Sequence, residues 1–224
     1  MGTKPMLFNI DMVRAILAGK KTVTRRVVRE PYYIDKPDVC IVSEMAMHRG
    51  VNATHGMPYP DRPYEPGDIL YVREAWSTTD NLWNGMDMII YRATYNGSQN
   101  SNIKWRPSIH MPREAARIFL RVKDVRVERL MHSFFDQGSA IFELRAEGID
   151  IGSQCRQCIA AYGSPCCIDD ESECGALDDI RDDFASIWDS TIKPADRAVY
   201  GWTANPWMWV IEFERCERPD EFGH

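Results

Sequence analysis

No long hydrophobic run occurs in this chain of 224 residues. A membrane-spanning helix needs about 20 consecutive apolar residues, and no stretch of the sequence approaches that length. The opening residues, MGTKPMLFNIDMVRAIL, reach a charged side chain too early for the apolar part of a secretory signal. We therefore expect a cytoplasmic protein with no membrane partner.

The pattern of a disulfide framework is also missing. The chain has seven cysteines, an odd number, and five of them fall between residues 155 and 174. Small secreted domains instead carry an even number of cysteines that staple the fold. The cluster indicates metal binding or reduced thiols, and both are consistent with a cytoplasmic protein.

The sequence lacks an internal repeat and the regular strand and helix alternation of a doubly wound sheet. The sequence predicts strands at 69–76, 86–95, 117–130 and 207–216, of which the third shows a long alternating apolar pattern with a bulge near Asp124. Helical spacing predicts helices at 8–18, at 134–146 and around 177–188. Several non-adjacent strands with two or three helices favour an α+β fold based on a small mixed β-barrel. The proline-rich residues 27–66 indicate a long loop with one possible strand, Val39–Val42.

A general excess of basic residues is absent, since the net charge is −6. Residues 169–183 account for it, because they contain eight acids against one arginine. Residues 1–50 have nine basic against five acidic side chains, and residues 104–131 have eight against three. These two segments would form either a basic face for phosphate or an ordinary solvated surface.

The stretch ILAGKKTVTRR, residues 16–26, combines cations and hydroxyls directly after the first predicted helix. Lys21 and Thr24 would share a face on a helical turn and would oppose each other on a strand. A threonine hydroxyl is a nucleophile only when a base takes its proton, and a lysine is such a base only when neutral, which burial and neighbouring cations favour. The alternative is a strand whose cations simply reach solvent, so spacing alone does not establish an enzyme.

Five further segments follow this stretch in a fixed order: PGDILYVREAW, KWRPSIHMPREAARIFLRVKDVRVERL, LRAEGI, IWDS and NPWMWVIEF, with residues 27–60 and 150–176 as expansions around them. Together they resemble an ASCH-domain protein of the longer, phage- or prophage-associated type. The resemblance covers most of the chain. It implies a single PUA-like β-barrel domain over residues 1–224, with a cleft suited to nucleosides or RNA.

Small bacterial members of this family include N4-acetylcytidine amidohydrolases, whose motif G-x-K-x-x-T-x-R is matched by Gly19, Lys21, Thr24 and Arg26. By this resemblance Thr24 is the nucleophile, Lys21 the base that activates it, and Glu147 in LRAEGI the acid-base or orienting group. Arg26 would hold the substrate or its charge. No cofactor is implied for catalysis.

Two alternatives use the same residues without amide hydrolysis. A non-catalytic reader of RNA or modified nucleic acid would stack bases on tryptophans such as Trp76 and Trp105 and contact phosphates through cations such as Arg106. A ribonuclease would place Lys21, Arg26 and Glu147 around a phosphate. Trp207 and Trp209 share a predicted strand face and fit a core or a barrel rim.

Glu74 in YVREAW is a second candidate carboxylate for the substrate. The other interpretation makes Glu74 an outward-facing strand residue that pairs with Arg73 or another cation.

The cysteine-rich segment CRQCIAAYGSPCCIDDESEC begins with a CxxC pair. Four thiolates bind a structural Zn²⁺ in a tetrahedron, which would stabilise a segment with few core residues. Reduced, metal-free cysteines are the alternative. The candidate ligands are Cys155, Cys158, Cys166, Cys167 and Cys174, with Cys166 and Cys167 competing for one position.

Overall fold

The computed structural model describes residues 2–28, 63–79, 88–97, 103–131, 137–149 and 176–220. None of the helices in these ranges is long and apolar enough to cross a bilayer. The chain has an α+β fold, which confirms the predicted class. Its elements are β1 (Thr3–Leu7), α1 (Ile10–Leu17), β2 (Val23–Val27), β3 (Ile69–Arg73), β4 (Trp76–Thr79), β5 (Met88–Tyr91), β6 (Phe119–Arg129), α2 (Gln137–Ala146), α3 (Ala176–Thr191), α4 (Arg197–Tyr200) and β7 (Trp207–Cys216).

Five strands form one mixed sheet in the order β1-β3-β6-β7-β2. β1 runs parallel to β3, β3 runs antiparallel to β6, and β4 pairs with β5 in a separate antiparallel hairpin. The described strands do not close into a barrel. The mixed sheet agrees with the sequence, whereas the closed PUA-like barrel stays a prediction.

The first helix begins and ends as its sequence predicts. The Asn9 side chain accepts a hydrogen bond from the Met12 N–H at 2.8 Å, so Asn9 is the N-cap. Val13 and Ile16 are fully buried on one face. Gly19 ends the helix with a φ of 71°, a left-handed conformation that favours glycine. The motif therefore leaves α1 through a turn and enters β2 as an extended chain.

Contacts divide the chain into two compact units: the first contains Met1–Thr22, Tyr64–Lys123 and Glu212–His224, and the second contains Val23–Pro63 and Asp124–Ile211. The first has a core of Trp76, Met111, Ala115, Ala116 and Phe119. The second has a core of Val23, Leu130, Leu144, Phe184, Trp188, Met208 and Val210. The predicted single domain stays a prediction, because the expansions at 27–60 and 150–176 lie almost wholly outside the described residues.

A buried carboxylate fixes the turn before β3 in the first unit. The Asp68 side chain is 7% exposed and accepts hydrogen bonds from Lys4 Nζ at 2.7 Å, from the Gly2 N–H at 2.8 Å and from the Glu65 N–H at 3.0 Å. Burial by itself raises the pKa of Asp68, but these donors outweigh burial and lower the pKa below its ordinary value of 3.8. The ionised form therefore stabilises the fold.

We expect Asp68→Asn to lower the free energy of unfolding by about 1–3 kcal/mol at pH 7, the usual contribution of hydrogen bonds to a charged group. Because the folded pKa of Asp68 is depressed, this contribution is complete above pH 3.8 and is lost as pH falls through the folded value. Urea unfolding at pH 7 and pH 3 measures it. The exposed Asp11→Asn is the control, and an Asp68→Asn deficit that does not shrink at low pH contradicts the assignment.

Candidate functional site

The motif residues lie in the protein interior rather than in solvent. Lys21 is 2% exposed, Thr24 is 1% exposed and Arg25 is 4% exposed, whereas Lys20 and Thr22 are exposed. The interpretation in which all these cations reach solvent is therefore wrong. A buried amine, hydroxyl and guanidinium are costly to desolvate without partners, so this stretch has a specific structural or chemical role.

The two faces of β2 have different surroundings in the second unit. Val23 packs in the core with Leu144 of α2, and Arg25 pairs with carboxylates of the same helix. Successive side chains of a strand point to opposite faces, so Thr24 and Arg26 lie on the face away from α2. We call this second face the Thr24 face.

Two carboxylates bind Arg25, one from Glu143 in α2 and one from Glu147, the residue that follows the helix. Its Nη1 donates to Glu147 Oε1 at 2.7 Å and its Nη2 donates to Glu143 Oε2. Burial lowers the pKa of Arg25, but attraction to Glu147 and Glu143 and the two hydrogen bonds outweigh burial and raise the pKa above its ordinary value. Arg25 is therefore a permanent cation whose side chain is 1% exposed.

The same carboxylates continue the network to β6. Glu143 Oε1 lies 3.6 Å from Arg126, which also pairs with Glu128 at 2.5 Å. The network therefore connects β2, α2 and β6 in the second unit. Arg25 was not among the predicted site residues. One signal was available, because Glu143 and Glu147 are four residues apart and share a helix face.

The structure brings Glu147 to Arg25 and not to Thr24. Glu147 contacts the α2 side of β2, whereas alternation directs the Thr24 side chain to the opposite face. Of the two roles predicted for Glu147, the orienting role is the one that these contacts favour. Lys21 belongs to the first unit, where its N–H donates to the Ala15 carbonyl at 3.2 Å.

Glu74 is buried in the first unit, immediately after β3. Its carboxylate accepts two hydrogen bonds from Arg117, at 2.9 and 3.1 Å. The guanidinium of Arg117 in turn lies 3.9 Å from the centre of the Tyr91 ring. The outward orientation predicted in the other interpretation is wrong, because Glu74 is 1% exposed. The predicted pairing with a cation is confirmed, but the cation is Arg117, whereas Arg73 donates to the Met111 carbonyl. Contacts of Glu74 with a substrate stay a prediction.

The three other predicted binding residues lie together in the first unit. Trp76 and Arg106 exchange two backbone hydrogen bonds, and the Arg106 guanidinium lies 4.9 Å from the centre of the Trp76 ring. Trp105 is half-buried with its ring edge-on to Tyr95 at 5.5 Å. Trp76 belongs to the core, so Trp105 and Arg106 are the members of this group that face solvent.

The metal prediction falls outside the described part of the chain. All five cysteines proposed as zinc ligands lie between residues 150 and 175, which the structure does not describe. Within the described ranges no group of three or more histidine, cysteine, aspartate or glutamate side chains is arranged to hold a metal ion. Structural zinc therefore stays a prediction.

Comparison of the chain with protein-family models, with curated proteins and with solved structures gives no match. Function is therefore inferred from the motif and from the geometry around it.

Proposed function

We propose that this protein is a nucleoside- or RNA-directed amidohydrolase of the ASCH type, which removes the acyl group from N4-acylated cytidine. The burial of Lys21 and Thr24 carries the proposal. A surface turn has no reason to remove an amine and a hydroxyl from water, whereas a lysine must lose its proton, which burial favours, before it can activate a threonine. The PUA-like cleft is part of this proposal.

The proposed reaction divides into two transfers. The Thr24 oxygen attacks the acyl carbonyl carbon while its proton passes to the Lys21 amine. The bond to N4 then breaks, and the leaving amino group takes the proton from Lys21. Water hydrolyses the acyl-threonine ester, which releases the carboxylic acid and restores the Thr24 hydroxyl.

Two arginines have separate parts in this proposal. Arg26 is half-buried and shares the Thr24 face, so it would bind the substrate or the oxyanion that forms during attack. Arg25 and Glu147 lie on the other side of β2 and act as positioning residues, because their ion pair holds the strand that carries Thr24.

A non-catalytic reader is the second candidate, and the Trp105 and Arg106 surface favours it. An exposed arginine beside a half-buried tryptophan suits base stacking and phosphate contact without chemistry. Such a reader would bind RNA and release no cytidine. A ribonuclease would cut RNA that contains no acetylated cytidine.

The test is to incubate the purified protein with N4-acetylcytidine and to measure cytidine by chromatography. We expect turnover by the wild type and by Lys20→Ala, whose side chain is exposed. Lys21→Ala should lose about a hundredfold or more, the usual contribution of a general base. Absence of turnover by folded wild-type protein overturns the proposal, and cleavage of unmodified RNA would identify a nuclease instead.

A further inference from the structure

Arg129, at the end of β6, is held in place by a backbone carbonyl and an aromatic ring. Its Nη1 donates to the Asn205 carbonyl at 3.0 Å, and its guanidinium lies 4.4 Å from the centre of the Trp207 ring. No carboxylate among the described residues pairs with it, whereas Arg126, three residues earlier, has three such neighbours. A half-buried cation without an anion is a candidate binding site for one.

The turn before β7 holds Arg129 in place. Asn205 adopts a left-handed conformation with a φ of 46°, and its side chain accepts a hydrogen bond from the Met131 N–H at 2.8 Å. Non-glycine residues rarely adopt this conformation, and asparagine is among those that tolerate it best. The turn fixes the Asn205 carbonyl on one side of the guanidinium, and Trp207 covers a face. The other N–H donors of Arg129 have no acceptor among the described residues.

Arg129 lies on the Thr24 face. On β7, Met208 packs in the core of the second unit with residues of the helices, so the neighbouring Trp207 points to the opposite face of the sheet. Arg129 lies over the Trp207 ring and is therefore on that face as well. The Val28 N–H donates to the Trp207 carbonyl at 3.0 Å, which places the end of β2 beside the start of β7. Arg129 and Thr24 therefore belong to one face of the same three strands.

The exposure of this face changes along the strands. Thr24, Val125 and Ile211 are buried, whereas Arg26, Arg129 and Trp207 are half-buried near one end. Four residues along a strand and two strand spacings separate Thr24 from Arg129, which is about 16 Å between Cα atoms. A ligand that contacts both residues must therefore extend well beyond a single base.

We propose that Arg129 binds a phosphate of the substrate, so that the site acts on a cytidine nucleotide or strand rather than on the free nucleoside. This inference rests on the proposed function for the identity of the base. The guanidinium fork matches a phosphate geometrically, and phosphate is the anion that every nucleotide carries. The same donors would serve a 5′-monophosphate or a phosphate of a neighbouring nucleotide in a strand.

The test measures binding without chemistry, by calorimetric titration with cytidine, with cytidine 5′-monophosphate and with an oligocytidylate strand. We expect at least one phosphate-bearing ligand to bind about tenfold or more tightly than cytidine. Arg129→Gln should remove this preference and, for the strand, should reduce the salt slope of binding by about 1. A preference for the monophosphate identifies the phosphate of the reacting nucleotide, and a preference for the strand alone identifies a neighbouring one.

Arg145→Gln is the matched control, because it removes the same charge from an exposed position of α2. Arg129→Lys keeps the charge without the fork and should keep part of the preference. Equal binding of all three ligands, no binding of any of them, or a preference that survives in Arg129→Gln overturns the inference. Phosphate preference without release of cytidine from acylated ligands refutes the hydrolase alone, and turnover without phosphate preference refutes the role of Arg129 alone.

Discussion

Replacing Arg25 with methionine is expected to lower the free energy of unfolding by about 3–5 kcal/mol, the usual result of removing one partner from a buried ion pair. The Glu147 side chain is 5% exposed, so without Arg25 its carboxylate stays in the interior without its guanidinium partner. Glu143 loses a partner as well. Urea unfolding at neutral pH, followed by circular dichroism, measures the change, which is a large part of the stability of an ordinary domain.

The matched control is Lys123→Met, which breaks an exposed pair between Lys123 and Glu212 at 3.7 Å. Exposed pairs contribute about 1 kcal/mol or less, so this variant should be close to the wild type. Adding Glu147→Leu to Arg25→Met removes the buried charge and should recover part of the loss. A single Arg25→Met variant as stable as the Lys123→Met control would contradict the buried network.

The two longest strands agree best with the prediction. β7 covers the predicted residues 207–216 in full, and β6 covers most of 117–130. The predicted strand 69–76 is divided in the structure, because β3 ends at Arg73 and Trp76 begins β4, which pairs with β5 outside the main sheet. A local pattern cannot show this break, since it depends on which strands pair.

β1 was not predicted as a strand and β2 was predicted only as one of two alternatives, for two physical reasons. β1 contains Pro5, which argues against a strand, but β1 is at the end of the sheet order and an edge strand tolerates proline. β2 contains Arg25 at a buried position, and polar residues there hide the apolar pattern. Arg25 is buried only because Glu143 and Glu147 neutralise it, and that is a tertiary effect.

The sequence predicted which residues belong to the candidate site, but it did not predict their burial or their contacts. Lys21, Thr24 and Arg26 were chosen by the motif, and the structure adds that Lys21 and Thr24 are buried. No sequence motif pointed to Arg129, because the residues that hold it, Trp207 and Asn205, lie more than 70 residues later in the chain. A motif therefore identifies the residues that it contains, and it misses residues such as Arg129 that only tertiary contacts bring into a site.

Under the proposed function, replacing Thr24 with alanine should remove hydrolysis of N4-acetylcytidine almost completely, by at least about a thousandfold in kcat, because it removes the proposed nucleophile. The substitution removes a hydroxyl and a methyl group from a buried strand position, so the protein should fold with a modest loss of stability. Chromatography of released cytidine measures turnover, and urea unfolding verifies the fold. KM should change little if the hydroxyl acts in the chemical step.

Two further variants separate the nucleophile from its surroundings. Thr22→Ala removes a hydroxyl from an exposed position two residues earlier in the motif and should keep full activity. Thr24→Ser keeps the hydroxyl without the methyl group and should keep measurable turnover. Mass spectrometry of the wild type, quenched during turnover, should detect the acyl group on Thr24. Full activity in Thr24→Ala would show that the nucleophile is another group or water, and it would leave Thr24 as a packing residue of β2.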